Sequence, residues 1–170
     1  MKKFLLILAL SNALFSLNQK IKSLQADFEQ TIQDNQIIYQ GKMYIQSSNL
    51  AKWEYLTPLK KEIYIIQDTL ISYEPNLSQV TFTPIKQQLD FLSIIQHAKQ
   101  DPQNPNLYFS TINQTLYRLH TSEGIPTTLQ YQDTLGNEVL IKLKNVKINP
   151  TFPKNFFDFT PPKGVDVIKE

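Results

Sequence analysis

Two histidines, scattered carboxylates and no cysteine are all that this 170-residue chain offers to a metal ion or a reacting atom. His97 and His120 lack an H-x-x-x-H or H-E-x-x-H neighbour, the spacing that puts two metal ligands on one helix face. Asp and Glu are spread singly, so nothing nominates a hydrolytic carboxylate pair. Gly41, Gly124, Gly136 and Gly164 lie too far apart for a phosphate loop, a dinucleotide fingerprint or a nucleophile elbow. Without cysteine there is no thiolate nucleophile, disulfide framework or lipid-attachment site. The sequence therefore predicts neither an enzyme nor a cofactor or metal site. What remains is apolar surface that another molecule can occupy.

That surface is laid out by alternation. In "SSNLAKWEYLTP" Ala51, Trp53 and Tyr55 share one parity, while Lys52 and Glu54 share the other, and Pro58 ends the run. "IIYQGKMYIQ" sets Met43 and Ile45 opposite Lys42, Tyr44 and Gln46. "NEVLIKLKNVKIN", entered through a "TLGN" hairpin turn, sets Val139, Ile141 and Leu143 opposite Leu140, Lys142 and Lys144. Further strands are predicted in "KKEIYIIQ", "TLISYEP", "SQVTFTP", "NLYFSTIN", "TLYRLHTS" and "PTTLQYQD". A last strand is predicted where Phe157 and Phe159 alternate before Pro161-Pro162.

Two segments follow a helical period instead. Leu17, Ile21, Leu24 and Phe28 form an amphipathic stripe that changes to strand alternation near Ala26. Residues 85–99 repeat Leu89, Leu92 and Ile95, with Phe91 and Ile94 widening the apolar face. The polar stretch 100–106 reads as a loop. Eight to eleven strands with two helices predict a mainly β fold with helices, a single strongly curved antiparallel sheet closing as a barrel or a half-barrel.

Lys2 and Lys3 before the apolar run Phe4–Leu10, then Ser11, Asn12 and Ala13, predict a signal peptide over 1–16, cleaved between 13 and 17. The run is much shorter than the ~20 residues that span a bilayer. Residues 17–170 are expected to form one domain. Removing Lys2 and Lys3 from the 17 basic residues leaves a balance against 15 acidic ones, and nucleic acid is an unsuitable partner for so neutral a chain.

The order of these motifs resembles the outer-membrane lipoprotein carrier family, LolA, over the whole exported chain. "LNQKIKSLQADFEQ" is similar to that family's first helix and strand. "GKMYIQSSNLAKWEYLTP" is similar to its Gly-led strand and the Trp-containing strand before a proline. "FFDFTPPKGVDVI" is similar to its terminal F-x-F-x-x-P-x-G-V-x-V. The resemblance implies a LolA/LolB-like half-barrel with a helical lid, acting as a periplasmic chaperone in a Gram-negative bacterium.

It also implies the partners: acylated lipoproteins as cargo, an inner-membrane ABC transporter of the LolCDE type as donor and, where one is present, a LolB-like outer-membrane acceptor; a monomer is expected because a cavity binder needs no symmetric partner. On this reading Met43, Ile45, Trp53, Tyr55, Val139, Ile141 and Leu143 line an acyl-chain cavity, and Phe91, Leu92 and Ile95 belong to the lid helix. Ser47, Ser48 and Ala51 stand where the family has arginine, proline and an aromatic residue. The arginine that latches the family's lid is therefore replaced by a side chain without its reach or its five donors. The alternatives are a periplasmic lipid- or lipoprotein-sensing domain and a barrel that binds one small hydrophobic ligand.

Overall fold

The computed structural model describes residues 21–33, 37–47, 49–85 and 91–170. The expected signal peptide, Leu17 of the first helix and Leu89 of the second lie outside them. In chain order the elements are β1 (Leu24–Ile32), β2 (Tyr39–Ser47), β3 (Leu50–Thr57), β4 (Lys61–Ile66), β5 (Thr69–Glu74), β6 (Gln79–Pro84), α1 (Phe91–His97), β7 (Lys99–Gln100), β8 (Leu107–Ile112), β9 (Thr115–Ser122), β10 (Ile125–Gln132), β11 (Glu138–Ile148) and β12 (Asp166–Lys169). One 12-stranded sheet holds all the strands, in the order β12-β6-β5-β4-β3-β2-β1-β11-β10-β9-β8-β7. It is open, with β12 and the two-residue β7 as its edges. The pairing is antiparallel except between β6 and β12, which run parallel.

The sheet curls because apolar parity and irregular register act together. Bulges interrupt the ladders at Gln25/Asp27, Gln40/Gly41, Ile45/Ser47 and Pro126/Thr128, and each adds local twist. The inward residues of β1, β2, β3, β9, β10 and β11 then form one cluster around the buried side of α1, Phe91, Leu92, Ile94 and Ile95. Strands as far apart in the sheet as β3 and β9 reach the same helix, which lies in the concavity.

Gly41 shows how closely the concave side is packed. The Phe28 ring lies over it, and a Cβ there would sit 1.9 Å from the Glu54 carbonyl oxygen and 2.8 Å from the ring. Only glycine allows that approach. Gly41→Ala is expected to lower the unfolding free energy by about 3 kcal/mol, measured by urea denaturation.

The convex side is covered too, over part of its width. After β11 the chain crosses behind the sheet: Phe152 and Phe156 meet Tyr44, and Phe159 meets Tyr64, Tyr73 and Phe82 before β12 joins β6. Tyr64, Ile71 and Val80 form the buried centre of this second core. Beside it Lys52 lies 2.5 Å from Glu54 and 3.5 Å from Glu62, with its ammonium over the Tyr64 ring.

Three expectations need correction. The stripe starting at Leu17 does not carry a helix as far as Leu24: Ile21 precedes the first strand and Leu24 opens it. Leu24, Ala26 and Phe28 fit a period of two as well as they fit a helix, and ladders to Ile45 on one side and Ile148 on the other satisfy the backbone as a strand. The helix expected over 85–99 occupies Phe91–His97 within the described residues, since Ile85 is not helical and Lys99–Gln100 pairs with β8. The terminal Phe157/Phe159 alternation is not a strand. It is a turn, with Phe156 N–H bonded to Pro153 O at 3.0 Å, whose rings spread over the convex face, and the strand follows later at Asp166.

Candidate ligand-binding site

The register brings the predicted positions onto one surface. Met43 pairs with Trp53, Ile45 with Ala51, Tyr55 with Gly41, Ile141 with Leu129 and Val139 with Tyr131, while Leu143 and Gly41 flank Phe28 on either side of β1. Met43, Ile45, Val139, Ile141 and Leu143 are buried in the same cluster as Phe91, Leu92 and Ile95, and Trp53 and Tyr55 pack against it half-buried.

Two openings break this surface, and they differ in character. A cavity of about 100 Å³ lies between helix and sheet, lined by Trp53, Phe91, Ile94, Tyr117, Leu129, Tyr131 and Ile141. A groove of about 380 Å³ lies beyond it, where Tyr55, Ile63, Ile32 and Tyr39 make the floor and Leu59, Lys60 and Leu77 reach in from loops. Met43, Ile45, Leu92 and Ile95 are close-packed between these walls. Phe28 stands at the boundary, with its ring edge-on to Trp53 of the cavity and to Tyr55 of the groove, 5.1 Å between centroids in each case.

Two polar pairs stand out in the groove, Tyr55 with Gln30 and Lys61 with Glu74. Tyr55 Oη donates to Gln30 Oε1 at 2.9 Å at the groove floor. Burial, with Tyr131 and Tyr39 nearby, holds the Tyr55 phenol well above the ordinary tyrosine range. Burial also pushes Tyr131 up to about 12, assisted by Tyr117 and Asp133. Both are neutral phenols at ordinary pH. A folded-state pKa raised in this way gives stability that is fully present below the unfolded value near 10 and is lost as pH rises towards 12. Stability in urea is therefore expected to fall between pH 10 and pH 12 as tyrosinate absorbance rises. At the groove edge Lys61 pairs with Glu74 at 3.2 Å, a half-exposed contact of little energetic weight.

The histidines stand apart from this surface. His97 Nδ1 is 2.8 Å from Ser93 O within α1, and His120 lies in the ladder between Thr128 and Leu107. Among the described residues no group of three or more His, Cys, Asp or Glu is placed to hold a metal ion. Ser47 Oγ bonds Asn49 Oδ1 at 2.7 Å, a contact local to the β2–β3 turn. Phe91, Leu92, Ile94 and Ile95 on the apolar face of α1 pack into the core of the sheet.

Sequence reasoning missed Tyr117, Leu129 and Tyr131 as lining residues, although "TLYRLHTS" and "PTTLQYQD" alternate as clearly as the strands it used. It missed the loop residues Leu59, Lys60 and Leu77 because no periodicity marks a loop side chain.

An open, curled sheet with a helix packed into an apolar concavity defines a binding protein for hydrophobic ligands. The chain belongs to the LolA family: residues 19–101 match the model of the outer membrane lipoprotein carrier protein LolA, and whole-chain relatives agree. An outer-membrane lipoprotein carrier protein from Helicobacter pylori is 36% identical over 89% of this chain and 83% of its own length. Its counterpart from Helicobacter hepaticus is 32% identical over 99% of this chain and 96% of its own. A conserved protein from Thermus thermophilus shares the fold, with TM-score 0.56 at 13% identity, over 90% of this chain and 93% of that one.

Proposed function

We propose that this chain is a periplasmic chaperone that shields the acyl chains of lipoproteins and carries them from the inner to the outer membrane. The observation that carries the reading is the continuous apolar concave face, closed in part by a helix and open in part as a groove, in a chain of the lipoprotein carrier family. Each methylene removed from water contributes ~0.8 kcal/mol, so shielding ten is worth about 8 kcal/mol, enough to hold a lipidated protein off a membrane. Met43, Ile45, Trp53, Tyr55, Val139, Ile141 and Leu143 are assigned to the acyl-chain surface and Phe91, Leu92 and Ile95 to the lid. A cavity of about 100 Å³ has room for only about three waters' share of liquid volume, so an acyl chain enters only when α1 shifts.

Such a carrier needs an exporter-type donor, an inner-membrane ABC transporter of the LolCDE kind, and an acceptor at the outer membrane that competes for the cargo, LolB-like where one exists. A signal peptide read over 1–16 supports a periplasmic location for the mature chain, and no helix among the described residues is long and apolar enough to cross a membrane. The work is binding and release, without bond chemistry.

The test is to incubate the purified mature chain with spheroplasts making an outer-membrane lipoprotein and to measure lipoprotein released as a soluble one-to-one complex. Release that requires the transporter and ATP, and is lost in folded Trp53→Glu, is expected. No release by a folded chain beside its cognate transporter would sink the carrier reading. The groove of about 380 Å³ alone favours a second reading, a site for one small hydrophobic ligand, and binding of a free fatty acid without any lipoprotein uptake would establish that instead.

A further inference from the structure

The two ends of the sheet are built differently. At the end where β1, β3, β5, β8 and β10 finish, four of five hairpins carry apolar residues, Leu59 between β3 and β4, Leu77 between β5 and β6, Leu135 between β10 and β11, and Ile37 and Ile38 leading into β2, and the fifth, β8–β9, turns through Asn113-Gln114. Leu135, Leu77 and Leu59 are the most exposed large hydrophobics among the described residues, at 84%, 63% and 61%. At the opposite end the turns consist of Asn49, Gln67-Asp68, Glu123-Gly124 and Asn149, and Ile125 is the apolar exception. Folding alone gives no reason to place leucines on solvent-facing loop tips at one end only.

The leucine-tipped rim is also the rim of the groove, because Leu59 and Leu77 line its wall while facing solvent. The tips sit on separate hairpins divided by polar residues. They therefore do not form the contiguous patch that a protein partner covers with a packed interface. A fluid bilayer surface accepts separated side chains without shape complementarity. Leu59 is followed directly by Lys60 and Lys61 on the groove wall, and while Lys61 is paired with Glu74, Lys60 puts beside the rim a cation of the kind that suits anionic headgroups.

We propose that this rim dips into the surface of a lipid bilayer, with Leu59, Leu77 and Leu135 as the inserting residues, so that the groove opens directly onto the acyl region. The purpose of the contact rests on the carrier reading, since a chain passing between groove and bilayer then never crosses water. The geometry of the contact does not depend on it.

The chain has no cysteine, so single labels report without background. Leu135→Cys, and Glu123→Cys at the opposite end, each carry an environment-sensitive fluorophore and are mixed with vesicles of phosphatidylethanolamine and phosphatidylglycerol. A blue shift is expected at 135 and not at 123. Vesicle co-flotation of the unlabelled chain is expected to fall about fivefold in each of Leu59→Ser and Leu77→Ser, whose circular dichroism stays native. No shift at 135, or equal shifts at both ends, overturns the proposal. If vesicles are ignored while Leu59→Ser and Leu77→Ser still stop lipoprotein uptake from spheroplasts, the rim docks a protein; the lipid contact is then refuted and the carrier reading stands. Vesicle insertion by a chain that takes up no lipoprotein supports the rim and removes the carrier reading.

Discussion

Ile95→Asp is expected to detach α1 from the concave face and leave the sheet folded. Ile95 is 0% exposed and faces the shared cluster, so a carboxylate there is buried without a partner. The described helix has seven residues, too few to persist alone in water, and its hold on the sheet is its apolar face. The sheet has an independent basis in its continuous ladder and in the aromatic packing on the convex side. Losing the docked helix should cost about 3 kcal/mol or more and raise binding of a hydrophobic dye severalfold, with the strand signal in circular dichroism retained. Ile95→Val, the matched control, should cost only about 1 kcal/mol.

The pH dependence of this variant follows from its chemistry. An aspartate forced into the cluster has its docked-state pKa raised above the undocked value near 3.9. The docked state is therefore favoured below that value and lost as pH rises through the docked pKa. Dye binding should be low near pH 3 and high at pH 7, the reverse of ordinary acid loosening. Equal dye binding by Ile95→Asp and Ile95→Val at pH 7 would show that α1 is not held through this face.

Much of the concave face was legible because its strands have one buried side. Met43 and Ile45, or Val139, Ile141 and Leu143, alternate with lysines and polar residues, and a slip by one position would put charge into the core. β4 is harder to read. Tyr64 and Ile65, of opposite parity, are both buried, because the segment after β11 covers the back of the sheet where α1 does not reach. A strand covered on both faces loses the alternation that names its inner side. The same covering segment misled the reading of its own aromatics: Phe157 and Phe159 alternate as in a strand but lie in and just after a turn, Phe157 against Phe152 and Phe156 and Phe159 against Tyr64, Tyr73 and Phe82. The groove was invisible for another reason, since Leu59, Lys60, Glu74 and Leu77 meet only after three hairpins have set their register.

With Ser47 bonded to Asn49, the proposed lid assignment has α1 held to the sheet by the apolar side chains Phe91, Leu92, Ile94 and Ile95. Apolar contact has no preferred partner, so an incoming acyl chain can replace the helix on the same surface with little loss. A latch of hydrogen bonds would instead have to be broken before anything entered. On that proposal the helix and the ligand would compete for one face, and the side chains beneath the helix are the ones whose loss should matter most.

Phe28→Ala is expected to be the most destabilising single truncation of that face. Phe28 is 2% exposed on the central strand β1, covers Gly41, and meets both Trp53 and Tyr55 edge-on. Truncation removes the aromatic contacts and leaves a void between two existing openings, so the cost should lie at about 3–5 kcal/mol in urea denaturation. The void joins the cavity at Trp53 to the groove at Tyr55, and the emission of Trp53 should move to longer wavelength as water enters. Phe28→Leu should recover most of the stability, because a branched aliphatic chain still covers Gly41. Combining Phe28→Ala with Gly41→Ala should cost less than the two separate losses together, since part of the clash at position 41 is with the missing ring. Strict additivity of the pair, or a loss below about 1 kcal/mol for Phe28→Ala, would mean that the ring is not the partition between groove and cavity.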